Sequence, residues 1–309
     1  MQIVDPSYTI QDDLDRASLV VRLEACGRLC YKSEGLIGEN TALPFVKKIA
    51  AHGHNSVLEM AVVTLGVKCT DGQFDALLAL EPKYLFIDRL DSEVLVTASI
   101  RSLRELYQRA GNTAIVQAMV AFMVEDHEYL FEGIWDGGHD QHEESTVEIR
   151  KLDLAEVDTL SPELLARHRF SGVLFITNRA VTHEIVRHRA CSFLQESQRY
   201  CRYSRDKFNN QVSFIKPMFY EEGTKEYALW QKAMEDTEAI YLKLLETSTP
   251  QAARTVLPNS CKTEIIAYCN LAEWRHIFNL RTTRAAEPSM REVMIPLAAE
   301  MKKRYPAVF

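Results

Sequence analysis

Between Arg187 and Arg205, five arginines (Arg187, Arg189, Arg199, Arg202 and Arg205) crowd into nineteen residues that hold one carboxylate, Glu196. Phe193, Leu194, Tyr200 and Tyr203 are interleaved with these charges, so a partly buried segment is expected sooner than a plain solvated basic face. A guanidinium drawn in among apolar side chains needs a partner. Its planar fork of donors fits phosphate and carboxylate oxygens. With Ser192, Gln195, Ser197 and Gln198 alongside, the stretch suits a small polyanionic ligand with a polar body. The chain as a whole carries a net charge of -7 and a pI near 5.8. A nucleic-acid partner, which would want a broad basic surface, is therefore not expected.

The 309 residues, 47 % hydrophobic and 26 % charged, are enough for a full core in one or two domains. The opening MQIVDPSYTIQDDLD has no basic-then-apolar leader. No apolar run approaches the roughly 18 residues of a membrane span. The expectation is a cytoplasmic protein without a membrane partner. Seven scattered cysteines, with no Cys-x-x-Cys pair, fit reduced thiols better than a disulfide frame or a zinc site.

Apolar spacing predicts helices over 11–31, 42–52, 101–132 (broken near Gly111), 178–186, 224–247, 249–257, 272–280 and 287–304. Strands are expected over 58–69, 171–177, 212–216 and 262–269. The acidic, turn-rich stretch 136–163 reads as an exposed excursion. The fold class that follows is α+β, one domain with an insertion at about 71–170.

Three further segments carry chemistry. His52-Gly53-His54-Asn55-Ser56 closes a helix; two histidines at that spacing make a cap or ligand-contacting loop sooner than a metal site. Arg254 precedes Leu257-Pro258. Residues 270–281 set Asn270, His276, Arg275 and Arg281 beside Trp274 and Phe278, which suits a planar polar ligand. His139 and His142, with Asp140 and Glu143, read as a solvated loop. No glycine-rich nucleotide fingerprint and no nucleophile elbow is present, so any nucleotide must be held by side chains. No metal is expected.

Arg187-His188-Arg189, followed by seven residues and Ser197-Gln198-Arg199-Tyr200, resembles the signature of the flavin-dependent thymidylate synthase (ThyX) family. The His52–His54 turn, Ala253-Arg254-Thr255-Val256-Leu257-Pro258 and the 270–281 segment resemble family segments in the same order. The likeness covers about 1–68 and 171–309. It implies a core of mixed or antiparallel sheet with flanking helices, here carrying an α-rich insertion. It also implies methylation of dUMP to dTMP, with methylenetetrahydrofolate as carbon donor and FAD, reduced by NADPH, as hydride source. A homotetramer with shared active sites is implied as well.

By the same resemblance, Glu184, Arg187, Gln195, Glu196, Ser197, Gln198, Arg199, Arg254 and Arg281 would meet dUMP. Arg281 would be the catalytic residue that stabilises the ionised pyrimidine. Asn55, Arg187, His188, Arg189, Asn270 and His276 would meet FAD, with His54 and Tyr200 near the folate or flavin ring. Ser197 would bind rather than attack. Three positions depart from the family: Leu194 stands where Asn is frequent, Glu184 where Gln often contacts dUMP, and Ala272 where Arg often meets the flavin. A carboxylate at 184 calls for a cationic partner such as Arg187. These departures leave room for a flavoenzyme acting on another pyrimidine nucleotide such as dCMP, or for a non-catalytic nucleotide-binding relative.

Overall fold

The computed structural model describes residues 1–137 and 147–309. His139, His142, Asp140 and Glu143 lie outside the described residues. Among the described residues ten strands run in chain order: β1 (Gln2–Val4), β2 (Ser7–Ile10), β3 (Val62–Lys68), β4 (Leu85–Arg89), β5 (Val94–Ser99), β6 (Glu148–Leu152), β7 (Phe170–Asn178), β8 (Ser192–Gln195), β9 (Ser213–Ile215) and β10 (Lys262–Asn270).

The two long strands β7 and β10 organise the signature half of the chain. They pair antiparallel over their full length, Phe170 opposite Asn270 and Asn178 opposite Lys262. Side chains alternate between faces along a strand. Val173 and Phe175, with Ile265, Ala267 and Cys269, therefore share one face, against Trp274 and the helix Pro288–Arg304. Leu174, Ile266 and Tyr268 share the other, against the helix Leu19–Leu29. With β2 and β8 at its edges, this is a four-stranded antiparallel sheet of order β2-β7-β10-β8.

A second four-stranded antiparallel sheet has the order β4-β5-β3-β6. The helix Ala114–His127 buries Ile115, Val116, Met119, Val120 and Met123 against it. Ser99 caps the helix Ile100–Ala110 by accepting the Ser102 N–H, and Leu103, Leu106 and Tyr107 of that helix enter the same core. This apolar cluster extends to Leu194, Ile266 and Tyr268 of the first sheet. A parallel ribbon, β1 with β9, packs beside the helix Lys225–Leu245 through Phe214, Met234, Tyr241 and Leu245.

The fold is mixed helix and largely antiparallel sheet, the α+β class expected. Three differences stand out, two of them in the elaborated region. Residues 71–170 contain strands β4, β5 and β6, which the helical reading passed over. Each is only five or six residues long, too short for periodicity to separate strand from helix. The stretch 136–163 is not a loop beyond Val147. It forms β6 and the helix Leu154–Asp158, closed by a capping box between Asp153 and Glu156. Strand β3 starts at Val62 rather than at 58, because Asn55–Leu58 closes a helical turn first.

Candidate functional site

Strands β7 and β10 each run directly into a helix capped by the strand's last residue. Asn178 accepts the Val181 N–H and starts Arg179–Ile185; Asn270 accepts the Glu273 N–H and starts Leu271–Arg281. The C-terminal ends of the two helices meet. Arg281 Nη1 donates to Glu184 Oε2 at 2.7 Å, and Arg281 Nε donates to His188 Nε2 at 2.9 Å. His276 faces His188 edge-on, 6.2 Å between ring centroids. Burial, then Arg281 and His276, push the His188 pKa down to about 4. The ring is therefore neutral near pH 7, with Nε2 the acceptor and the proton on Nδ1. Glu184 takes Arg281 as its partner; Arg187, the partner expected from sequence, turns to the surface.

Next to this junction, Glu273 Oε1 is buried without a hydrogen-bond partner. Burial raises the Glu273 pKa, and His276 opposes that rise. His188, Glu273 and His276 bring ligand-type atoms within 4.8 Å of one another, a grouping not expected from sequence. The i, i+3 spacing of Glu273 and His276 was its only sequence signal. The Arg281 guanidinium on His188 disfavours a cation there.

The rest of the signature runs back along the sheet. Leu194 is opposite Ile266 and buried, so an apolar residue at this position packs the core. Gln195 Nε2 donates to Thr182 Oγ1 at 3.0 Å and Thr263 Oγ1 at 3.1 Å. Glu196 turns inward: it accepts from Tyr203 at 2.8 Å and Lys262 at 3.2 Å. The Ser197 N–H donates to the Cys30 carbonyl, and the Ser197 hydroxyl accepts from the Arg199 N–H at 3.3 Å. Gln198 Nε2 is buried without a partner. Arg199 is exposed and donates to the Tyr200 hydroxyl at 2.8 Å, while Tyr200 packs on Tyr31. Arg254 sits half-buried in the 3-10 turn Arg254–Val256. Neither Arg199 nor Arg254 bonds to the Arg281 junction.

The residues assigned to the cofactor separate into two groups. Arg187 and Arg189 are exposed beside buried His188. Asn270 is committed inside the fold, since its Oδ1 caps a helix and its Nδ2 donates to the Arg167 carbonyl at 2.9 Å. His54 is exposed on its turn, and Asn55 Oδ1 is buried without a partner. Arg189, Cys191 and Ser192 line a cavity of about 290 Å³ with Glu59, Phe86 and Arg101. Glu59 and Arg101 carried no mark in the sequence, because pairing between distant segments (2.6 Å) brings them together.

The thymidylate synthase complementing protein family pattern matches residues 167–307. A flavin-dependent thymidylate synthase of Pyrococcus furiosus is 37 % identical over 128 residues, 41 % of this chain and 52 % of that protein. The Pyrococcus abyssi protein of the same name is 34 % identical over 128 residues, with the same coverage. The chain thus spans about half the length of these two relatives. Among solved structures, a UMP/dUMP methylase, PolB from Streptomyces cacaoi bound with 5-Br dUMP, superposes with a TM-score of 0.38 at 22 % identity. That match covers 46 % of this chain and 72 % of PolB. The flavin-dependent thymidylate synthase of Pyrococcus horikoshii is 30 % identical over 179 residues, 55 % of this chain and 70 % of its own length. With the Arg187-His188-Arg189 to Ser197 signature held between β7 and β10, the chain belongs to the flavin-dependent thymidylate synthase family.

Proposed function

We propose that the protein methylates dUMP to dTMP, taking the carbon from methylenetetrahydrofolate and using FAD reduced by NADPH. The observation that carries this reading is the Arg281 junction, where a guanidinium is held at 2.7 Å by Glu184 and at 2.9 Å by His188. A guanidinium fixed on two sides is preorganised, so stabilising charge on a pyrimidine ring needs no rearrangement at the moment of reaction. Arg281 then lowers the cost of the anionic ring and makes its C5 the better nucleophile. Arg199 and Arg254 are cations for the nucleotide phosphate, brought to it by assembly of the chain into a homotetramer. Ser197 orients the nucleotide and is not a nucleophile.

The residues present fit a flavin. Glu273 Oε1 is a buried acceptor without a donor, and a flavin ring edge offers an N–H. Arg187 and Arg189 are exposed guanidiniums suited to a pyrophosphate. FAD, when bound, supplies the hydride. His188, neutral and with its Nδ1 protonated, offers a hydrogen-bond donor without adding a positive charge beside Arg281.

The pairing of Glu184 with Arg281 also gives dCMP a reading of its own. An acceptor next to a donor fork matches a base edge that carries both an amino group and acceptors. The whole chain acts as one synthase domain elaborated at about 71–170. Among the described residues no helix is long and apolar enough to cross a membrane, which fits a cytoplasmic enzyme.

Purified protein should be yellow, with the flavin absorbance bleached by NADPH under anaerobic conditions. It should form dTMP from dUMP and methylenetetrahydrofolate. Turnover of dCMP in place of dUMP would select the second reading. Colourless protein that cannot take up FAD would overturn both.

A further inference from the structure

A second cavity, about 440 Å³, lies between the Gly53–Asn55 turn and the helix Ile100–Ala110. It shares Arg101 and Glu105 with the cavity beside Arg189. Its wall includes Arg104, which is only 6 % exposed. Other buried arginines have carboxylates: Arg22 has Asp15, Arg28 has Glu24 at 2.7 Å, and Arg169 has Asp158 at 2.8 Å. Arg104 has none among the described residues. One of its N–H groups goes to the Leu130 carbonyl, and its Nε has no partner. Burial alone acts on its pKa, downward, with no neighbouring carboxylate raising it. Asn55 Oδ1, on the same cavity, is likewise buried and unpartnered. Of the carboxylates facing this space, Glu105 is held by Arg101 at 2.6 Å and Glu132 sits exposed.

A buried guanidinium without a counter-anion is strongly unfavourable. The Leu130 carbonyl uses only one of its five donors. The adjoining cavity supplies the other half of a ligand site. Phe86 and Phe170 meet edge to face there, 5.6 Å between centroids, with Tyr84 at the opening. Together the two spaces fit a ligand with a planar ring system at one end and an oxyanion at the other.

We propose that Arg104 is the subsite for a glutamyl carboxylate of the reduced-folate co-substrate, whose rings occupy the aromatic cavity beside Arg189. This rests on the synthase reading above. Asn55 takes a hydrogen bond from the same tail. The elaborated region thereby contributes to substrate binding through Arg104, Phe86 and Tyr84.

The test compares the full-length holoenzyme with Arg104→Met, using p-aminobenzoylglutamate and inorganic phosphate as probes. The wild-type Tm should rise with p-aminobenzoylglutamate and that of Arg104→Met should not. The variant's KM for methylenetetrahydrofolate should rise at least tenfold, with the KM for dUMP within twofold. Without ligand, Arg104→Met should melt at or above the wild-type temperature, since an uncompensated charge has been removed. An unchanged folate KM overturns the proposal, and so does an equal rise in both KM values. Arg104-dependent stabilisation by phosphate with no effect on the folate KM would assign the site to a phosphate and overturn the folate source. If the methionine variant does not fold, Arg104→Lys keeps the charge and loses the fork; its folate KM should rise severalfold, and no change is fatal. A wild-type enzyme that makes no dTMP would sink the synthase reading, whereas the p-aminobenzoylglutamate shift reads the subsite separately.

Discussion

Two groups of arginines flank the signature sheet, and the protein treats them in opposite ways. Arg22 and Arg169 converge on Asp15, which also accepts the Gly172 N–H of β7. All three side chains are almost wholly buried, and Arg22 lies on the Tyr268 ring at 4.0 Å. At the other group, Arg281 is shared by Glu184 and His188 but stays 19 % exposed, and Arg187, Arg189 and Arg199 reach solvent. In the first group the chain's own carboxylates, Asp15 and, on Arg169 at 2.8 Å, Asp158, neutralise the charge. In the second the cations are left partly unmatched, as an anionic ligand requires. The number of arginines does not distinguish these groups; the place of the counter-charge does.

The largest effect should come from opening the closed group. Asp15→Asn leaves buried Arg22 without a carboxylate and Arg169 with Asp158 alone, and denaturant unfolding should show a loss of about 3–5 kcal/mol. A loss below 1 kcal/mol would erase the distinction between the groups. Arg281→Ala attacks the open group. Turnover should fall by about 10²–10³, the scale for one preorganised charge-stabilising donor, while dUMP binding weakens far less. Equal losses in the two quantities would remove Arg281 from the activated state.

The third measurement concerns protons. The folded pKa of His188 lies near 4, below its unfolded value of about 6.5. Between these values the unfolded chain binds more protons, so stability falls as pH drops from about 6.5 to about 4. The total loss from this residue is at most about 3 kcal/mol. His188→Asn should flatten that limb of the pH–stability curve; an unaltered limb would mean that the imidazole is not held neutral. Smallest is Arg199→Ala, which should weaken dUMP binding by about 1.5–3 kcal/mol and change stability by less than about 0.5 kcal/mol. An unchanged Kd for dUMP would take Arg199 out of the phosphate site.

Much of the signature half was legible because its signals are local. The apolar runs of β7 and β10, Asn270 ahead of a helical period and Pro288 at a helix start each act through neighbours in sequence. The spacing from Arg187 to Ser197 could be read without any fold. The direction of individual side chains could not. Leu194 faces the core because β8 pairs with β10 in one register, and Glu196 turns to Lys262 across the same sheet. Glu184 meets Arg281 rather than Arg187 because two helices end at the same place. In the elaborated region β4, β5 and β6 are short, and their pairing with β3 and one another decides them more than their own composition.

The order of residues alone determined which groups could bind anions, the alternation that builds the central strands, and the likeness to a family of nucleotide-modifying flavoenzymes. Those properties depend on residue type and on spacings of a few positions. Only the folded chain decided which guanidiniums are neutralised and which remain available. Coulomb energy and desolvation depend on distance and burial in space, and the decisive neighbours, Asp15 with Arg169 and Glu184 with Arg281, stand 154 and 97 residues apart in the chain.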